Sequence, residues 1–183
     1  MPTINLYSIA DVNDSSNDPT SNFGSSSYLT AGELNSGASR YRETFINFNW
    51  SLIPGNSNII SASLFMYLTA NYANNNTTFY VYSLNNSWGE YTLNYNNKPG
   101  RVEAIGSCYL LYNESVGWKE FILNPAKIKE ILTGNQYGVS VYSNVTDAGH
   151  NFMSRENTND PYLHVEYAPA SGNPVAITPY LMI

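Results

Sequence analysis

Apolar and polar residues alternate with a period of two along much of this chain. In "ASLFMYL" Leu64, Met66 and Leu68 fall on one face, with Phe65 and Tyr67 on the other. "TFYVYSL" sets Phe79 and Val81 against Tyr80 and Tyr82, and "ETFINFNW" sets Ile46, Phe48 and Trp50 against Phe45, Asn47 and Asn49. "YGVSVYS" and "YLHVEY" repeat the pattern, which belongs to half-buried strands. Between them lie turn-forming stretches such as "NDSSNDPTSNFGSSS", "LIPGNSN" and "NNKPG". Many short strands so joined predict an all-β fold, an antiparallel jelly-roll β-sandwich. One helix interrupts the pattern. "NPAKIKEILTGN" places Asn124 at the N-cap, Pro125 in the first turn and Gly134 past the end, with Ile128, Ile131 and Leu132 as its apolar stripe. Such a helix is expected to plug one end of the sandwich.

The chain ends on "APASGNPVAITPYLMI". A jelly-roll domain over residues 1–167 is expected to be followed by a hinge at 168–174 and an extra C-terminal strand at 175–183. Val175, Ile177, Leu181 and Ile183 share one face of that strand. Burying these four side chains is worth roughly 6–12 kcal/mol at most, so the strand should dock. Pro179 suits it to an edge or a groove. Two docks are open: its own sandwich, or a neighbouring copy as a donor strand, which builds a filament if the rotation does not close.

Composition narrows the function. The 183 residues carry a net charge of −6, with 12% charged residues and no Lys/Arg run, so nucleic acid is a poor partner. No stretch of 18 apolar residues exists, so membrane insertion by such a segment is not expected. "MPTINLYSIADVND" lacks the basic start and apolar run of a signal peptide. The single Cys108 excludes an internal disulfide. The 26 Asn and 16 Tyr give a surface solvated by amides and hydroxyls, in keeping with an extracellular, cell-surface or virion-surface location. Glycosylation sequons begin at Asn13, Asn49, Asn75, Asn76, Asn85, Asn113 and Asn144.

Four stretches in order resemble the DNRLRE-type domain, also seen as disaggregatase-related repeats and in a family of carbohydrate-binding modules. They are "DPTSNFGSSSYLTAG", "RETFINFNWSLIPGNSNIISASLFMYL", "NSWGEYTLNYNNKPG", and "YGVSVYSN" followed by "NFMSRENTNDPYLHVEY". Together they cover about residues 5–167. The resemblance implies a jelly-roll sandwich used for attachment or polysaccharide binding.

No nucleophile, phosphate-loop or zinc motif is present, and no carboxylate pair such as Glu90 with Glu156 is singled out by spacing, so no enzyme is expected. His150 falls in a loop, and His164 on a strand face beside Glu166. Arg155 is expected to pair with Glu90 and, with Trp88, to pin strand ends. No cofactor is required, although Asp11, Asp14 and Asp18 offer oxygen ligands for a structural Ca²⁺. The expected role is therefore a structural or adhesive subunit that polymerises with copies of itself. The alternative is a free-standing module for cell-surface polysaccharide, with Tyr67, Tyr80 and Tyr82 as stacking residues.

Overall fold

The alternating segments pair into eleven strands in the computed structural model, which describes residues 1–33, 40–71 and 73–169. They are β1 (Thr3–Asn13), β2 (Tyr28–Glu33), β3 (Tyr41–Arg42), β4 (Thr44–Phe48), β5 (Asn58–Asn71), β6 (Thr77–Leu84), β7 (Arg101–Leu110), β8 (Gly117–Leu123), β9 (Val139–Tyr142), β10 (His150–Met153) and β11 (Tyr162–Ala168). The one α-helix among these residues, α1 (Pro125–Thr133), falls where its caps predict. The Asn124 side chain accepts a hydrogen bond from Ala126 N at 3.0 Å. Ile128, Ile131 and Leu132 are buried in the main core.

The all-β expectation holds, but the jelly-roll sandwich does not. β11 pairs with β1 along one edge and with β5 along the other. The sequence β11-β1-β4-β9-β6-β7-β8-β5 therefore returns to its own start as an eight-stranded barrel. β10, β2 and β3 branch from it, because β5 is long enough to take two partners in series. Its residues 58–65 pair with β11, while Leu68 and the residues after it pair with β10. Alternation could not reveal closure, since a sandwich and a barrel both bury one face of every strand.

The narrowest join in the ring is β7 to β8, held at Gly106↔Leu123 and Ser107↔Ile122. Gly106 permits it. A Cβ there would lie 2.4 Å from the Ile122 carbonyl oxygen and 2.5 Å from Leu123 Cδ2. The missing side chain lets the two backbones approach within ladder distance.

Eight strands leave an interior that side chains can fill. Leu6, Phe48, Leu64, Met66, Phe79, Val81, Phe121, Phe152, Leu163 and Val165 fill it and are fully buried. Each such burial contributes about 1.5–3 kcal/mol. β4 also has a second apolar face, where Phe45 joins Val12, Leu84 and Leu93 under Phe23, Trp88 and Tyr137. Phe45 is thus buried rather than outward with Asn47. Residues 170–183 lie outside the described residues, and with them Val175, Ile177, Leu181 and Ile183.

Candidate functional site

Period-two alternation leaves every second side chain of a barrel strand facing solvent. On the four consecutive strands β8, β5, β11 and β1 those outward positions are unusually aromatic. Tyr7 of β1 lies opposite Tyr162 of β11, Tyr162 opposite Phe65 of β5, and Phe65 opposite Glu120 of β8. One step along, Tyr67 lies opposite Trp118.

The rings form a connected group. Tyr162 and Phe65 stack face to face, with centroids 4.9 Å apart and planes 11° apart. Tyr7 flanks Tyr162 at 5.7 Å on one side, and Trp118 flanks it at 5.1 Å on the other. Tyr67 meets Trp118 edge-on at 5.4 Å. Tyr7 remains 55% exposed and Trp118 41%, and Ile122, further along β8 opposite Ser63, is 70% exposed. The stacked pair thus holds two outer rings in place and leaves their surface to a partner. Large exposed rings preset in this way are typical of binding surfaces, where they add contact area at little cost in side-chain entropy.

A polar border completes the face. His164 Nδ1 and Asn5 Oδ1 lie 2.6 Å apart, Ser63 donates to Glu120 at 2.7 Å, and Ser61 donates to Glu166 at 3.4 Å. His164 is therefore on the outer face, as its strand register predicts, next to Asn5. His150 is not a loop residue. It begins β10 and is fully buried against Phe79 and Phe152, with Nδ1 3.0 Å from the Ala148 carbonyl oxygen.

Of the expected stacking residues, Tyr67 belongs to this face while Tyr80 and Tyr82 do not. β5 and β6 follow each other in sequence, yet β8 and β7 separate them in the barrel. Tyr80 and Tyr82 sit on the far side, where Arg101 lies over Tyr82 at 5.2 Å and over Tyr142 at 4.0 Å. The same face also carries Tyr7, Tyr162 and Trp118, which the sequence reading did not single out. The signal for Tyr162 was present, because "YLHVEY" gives it the same outward parity as His164. Trp118 alternates with Glu120 and Ile122 in "GWKEFIL" in the same way.

The acidic candidates have other work. Arg155 follows β10 in a turn, not a strand, so it and Glu156 are not forced to opposite faces. Arg155 donates from Nε to Glu90 Oε1 at 2.6 Å and from Nη2 to Oε2 at 3.0 Å, the pairing expected of it. Its Nε lies 3.6 Å from Glu156 Oε1. Asp11 Oδ2 accepts from Arg155 N at 2.9 Å and from Ser8 at 3.3 Å. Among the described residues Asp11, Glu90 and Glu156 are the carboxylates close enough to share one ion, but the Arg155 guanidinium already supplies the cation there.

Asp11, Asp14 and Asp18 do not form such a group. Asp14 pairs with Lys98 at 2.6 Å, and Ser15 donates to Asp18 at 3.4 Å. Trp88 is half-buried, donating from Nε1 to the Tyr137 carbonyl at 2.8 Å over Phe45. Of the sequon residues Asn13 is buried and closed to a glycan, whereas Asn49, Asn75, Asn76, Asn85, Asn113 and Asn144 are exposed.

Asp11 is 1% exposed and its Oδ1 has no hydrogen-bond partner. Burial pushes its carboxyl up to about 7. The Arg155 N–H pulls the other way, and the Glu156 and Glu90 charges add to the rise. The unfolded value is about 3.9, so between these values the folded chain holds the extra proton. Stability from this group is complete below about pH 4 and is lost as pH rises through about 7. Urea midpoints are expected to fall from pH 5 to pH 8, and Asp11→Asn should flatten that slope. An unchanged slope in the variant would assign the titration elsewhere.

A family model described as carbohydrate-binding module family 96 matches residues 2–167. Its description names a carbohydrate-binding module, not a DNRLRE or disaggregatase-related domain. No curated protein matches the chain.

Proposed function

Since the chain belongs to carbohydrate-binding module family 96, we propose that it binds a polysaccharide on the outer face of β8, β5, β11 and β1, with Tyr7 and Trp118 as the stacking residues. The observation that carries this reading is the pair of exposed rings held on either side of the Tyr162–Phe65 stack. A pyranose ring presents a patch of C–H bonds on one face and hydroxyls around its rim. Aromatic surface bordered by Ser, Asn, His and Glu matches both. The family is one of binding modules, and the buried carboxylates Asp11 and Glu90 serve Arg155, so the reading contains no catalytic step.

A polysaccharide partner favours work outside the cell, where such polymers are displayed. Family membership puts this reading ahead of a filament subunit joined by donated strands. The strand which that idea depends on lies outside the described residues.

Trp118→Ala is expected to remove about 1.5–3 kcal/mol of ring burial, weakening glycan binding about tenfold to a hundredfold. Tyr80→Ala, on the far side, should leave binding unchanged. Affinity electrophoresis through gels containing single polysaccharides measures both. Equal retardation of the Trp118 variant and the parent chain would remove this face from consideration.

A further inference from the structure

We propose that residues 175–183 add a strand to the open edge of β1, beside residues 3–7 of their own domain.

The hydrogen-bond parity of β1 exposes that edge. Tyr167 N donates to the Pro2 carbonyl at 3.1 Å, and Ser8 N donates to the Pro161 carbonyl at 2.9 Å. In the antiparallel β1–β11 ladder the even residues of β1 therefore turn their N–H and C=O groups toward β11. Thr3, Asn5 and Tyr7 turn theirs to the opposite edge. On that side β4 reaches only to Phe48, opposite Ser8, before the chain turns into the short 3-10 segment Trp50–Leu52. Among the described residues no strand runs beside residues 3–7 there.

Unpaired groups along a strand edge are a template for another strand. The apolar surface at this edge is also unfinished. Ile4 faces inward with Leu6, yet Leu6 is fully buried and Ile4 only partly so. Leu52, in the segment that follows β4, is 53% exposed.

Sequence and distance name the occupant. Val175, Ile177, Leu181 and Ile183 share one strand face, which suits a strand covering such a surface. Pro179 among them has no N–H, a lack that costs least in an outermost strand. Tyr167, near the end of β11, is paired beside Pro2, so the open edge lies two strand spacings or about 10 Å away. The six residues 169–174 can span about 20 Å. A segment tethered so close is presented at an effective concentration of about millimolar, above what a second copy supplies in dilute solution.

Amide exchange of the full chain, followed by NMR and compared with Ile177→Asp, tests this. Ile4, Leu6 and Ser8 point to β11, so their protection reports that the fold is intact in both proteins. Asn5 and Tyr7 are expected to exchange at least about tenfold more slowly in the full chain than in Ile177→Asp, whatever the protein concentration. The full chain should sediment as a monomer. Ile177→Ser gives the same comparison if Ile177→Asp loses the reference protection. Equally fast exchange of Asn5 and Tyr7 in both proteins, with Leu6 and Ser8 protected, would overturn the proposal. Protection that fades on dilution, or a polymer that the variant dissolves, would overturn it too, by giving the edge to a second copy's segment.

Discussion

Alanine in place of Arg155 is expected to lower the unfolding free energy by about 3 kcal/mol, near the lower end of what breaking a buried ion pair costs. The lower end applies because the Arg155 side chain is 32% exposed, while that of Glu90 is 8% exposed. Glu90 accepts both forks of the guanidinium and also the Asp11 N–H at 3.0 Å. Without Arg155 a buried carboxylate remains beside Asp11 and Glu156 with no cation. The effect should spread, because Asn22 Nδ2 donates to the Glu90 and Leu93 carbonyls at 2.7 Å each. That bond ties the Trp88 loop to the chain before β2. The midpoint of thermal unfolding should drop by roughly 6–12 °C. Arg155→Lys should recover part of this, since it restores the charge but not the two-pronged geometry. A loss below about 1 kcal/mol would reduce the pair to an ordinary surface contact.

Gly106→Val should act at the barrel seam and cost about 3 kcal/mol, at the upper end of the usual overpacking range. The first atom that the new side chain meets is the Ile122 carbonyl oxygen, which cannot yield without separating β7 from β8. Only two register pairs hold that join, so little else resists the separation. Hydrogen exchange should accelerate at the amides of residues 121–123 more than in β5. An unchanged melting temperature with unchanged exchange there would mean that the seam has slack.

The seam also bears on binding. Trp118 and Glu120 sit on β8, which is held by β5 along residues 117–123 and by β7 at its far end. Loosening that end lets the strand carrying Trp118, a proposed stacking ring, shift relative to Tyr7. Glycan affinity of Gly106→Val should therefore fall with its stability, although residue 106 lies off the aromatic face.

Local chemistry was legible in the residue order. The cap, first-turn proline and closing glycine around residues 124–134 specify α1 without reference to any other element, and the helix forms at those bounds. Alternation likewise told which side chains of "ASLFMYL", "TFYVYSL" and "YLHVEY" face inward, because a strand turns successive side chains to opposite sides wherever it sits. The Arg155–Glu90 pair could be guessed from charge.

Tertiary structure decided which strands became neighbours. Period two names the face of a strand and says nothing of its partner, so a closed barrel and an open sandwich looked alike until β11 was seen to bridge β1 and β5. The same gap hid which aromatic residues share a face. Tyr67 and Tyr80 are close in sequence but have two strands between them in the ring, whereas Tyr7 and Tyr162 meet across the whole length of the domain. Burial of Asp11, and with it a carboxyl that titrates near neutral pH, also depends on residues as distant as Glu90 and Glu156. The sequence by itself determined the elements and their faces through local geometry. Long-range pairing, which only the folded chain can satisfy, decided the barrel and the aromatic face on it.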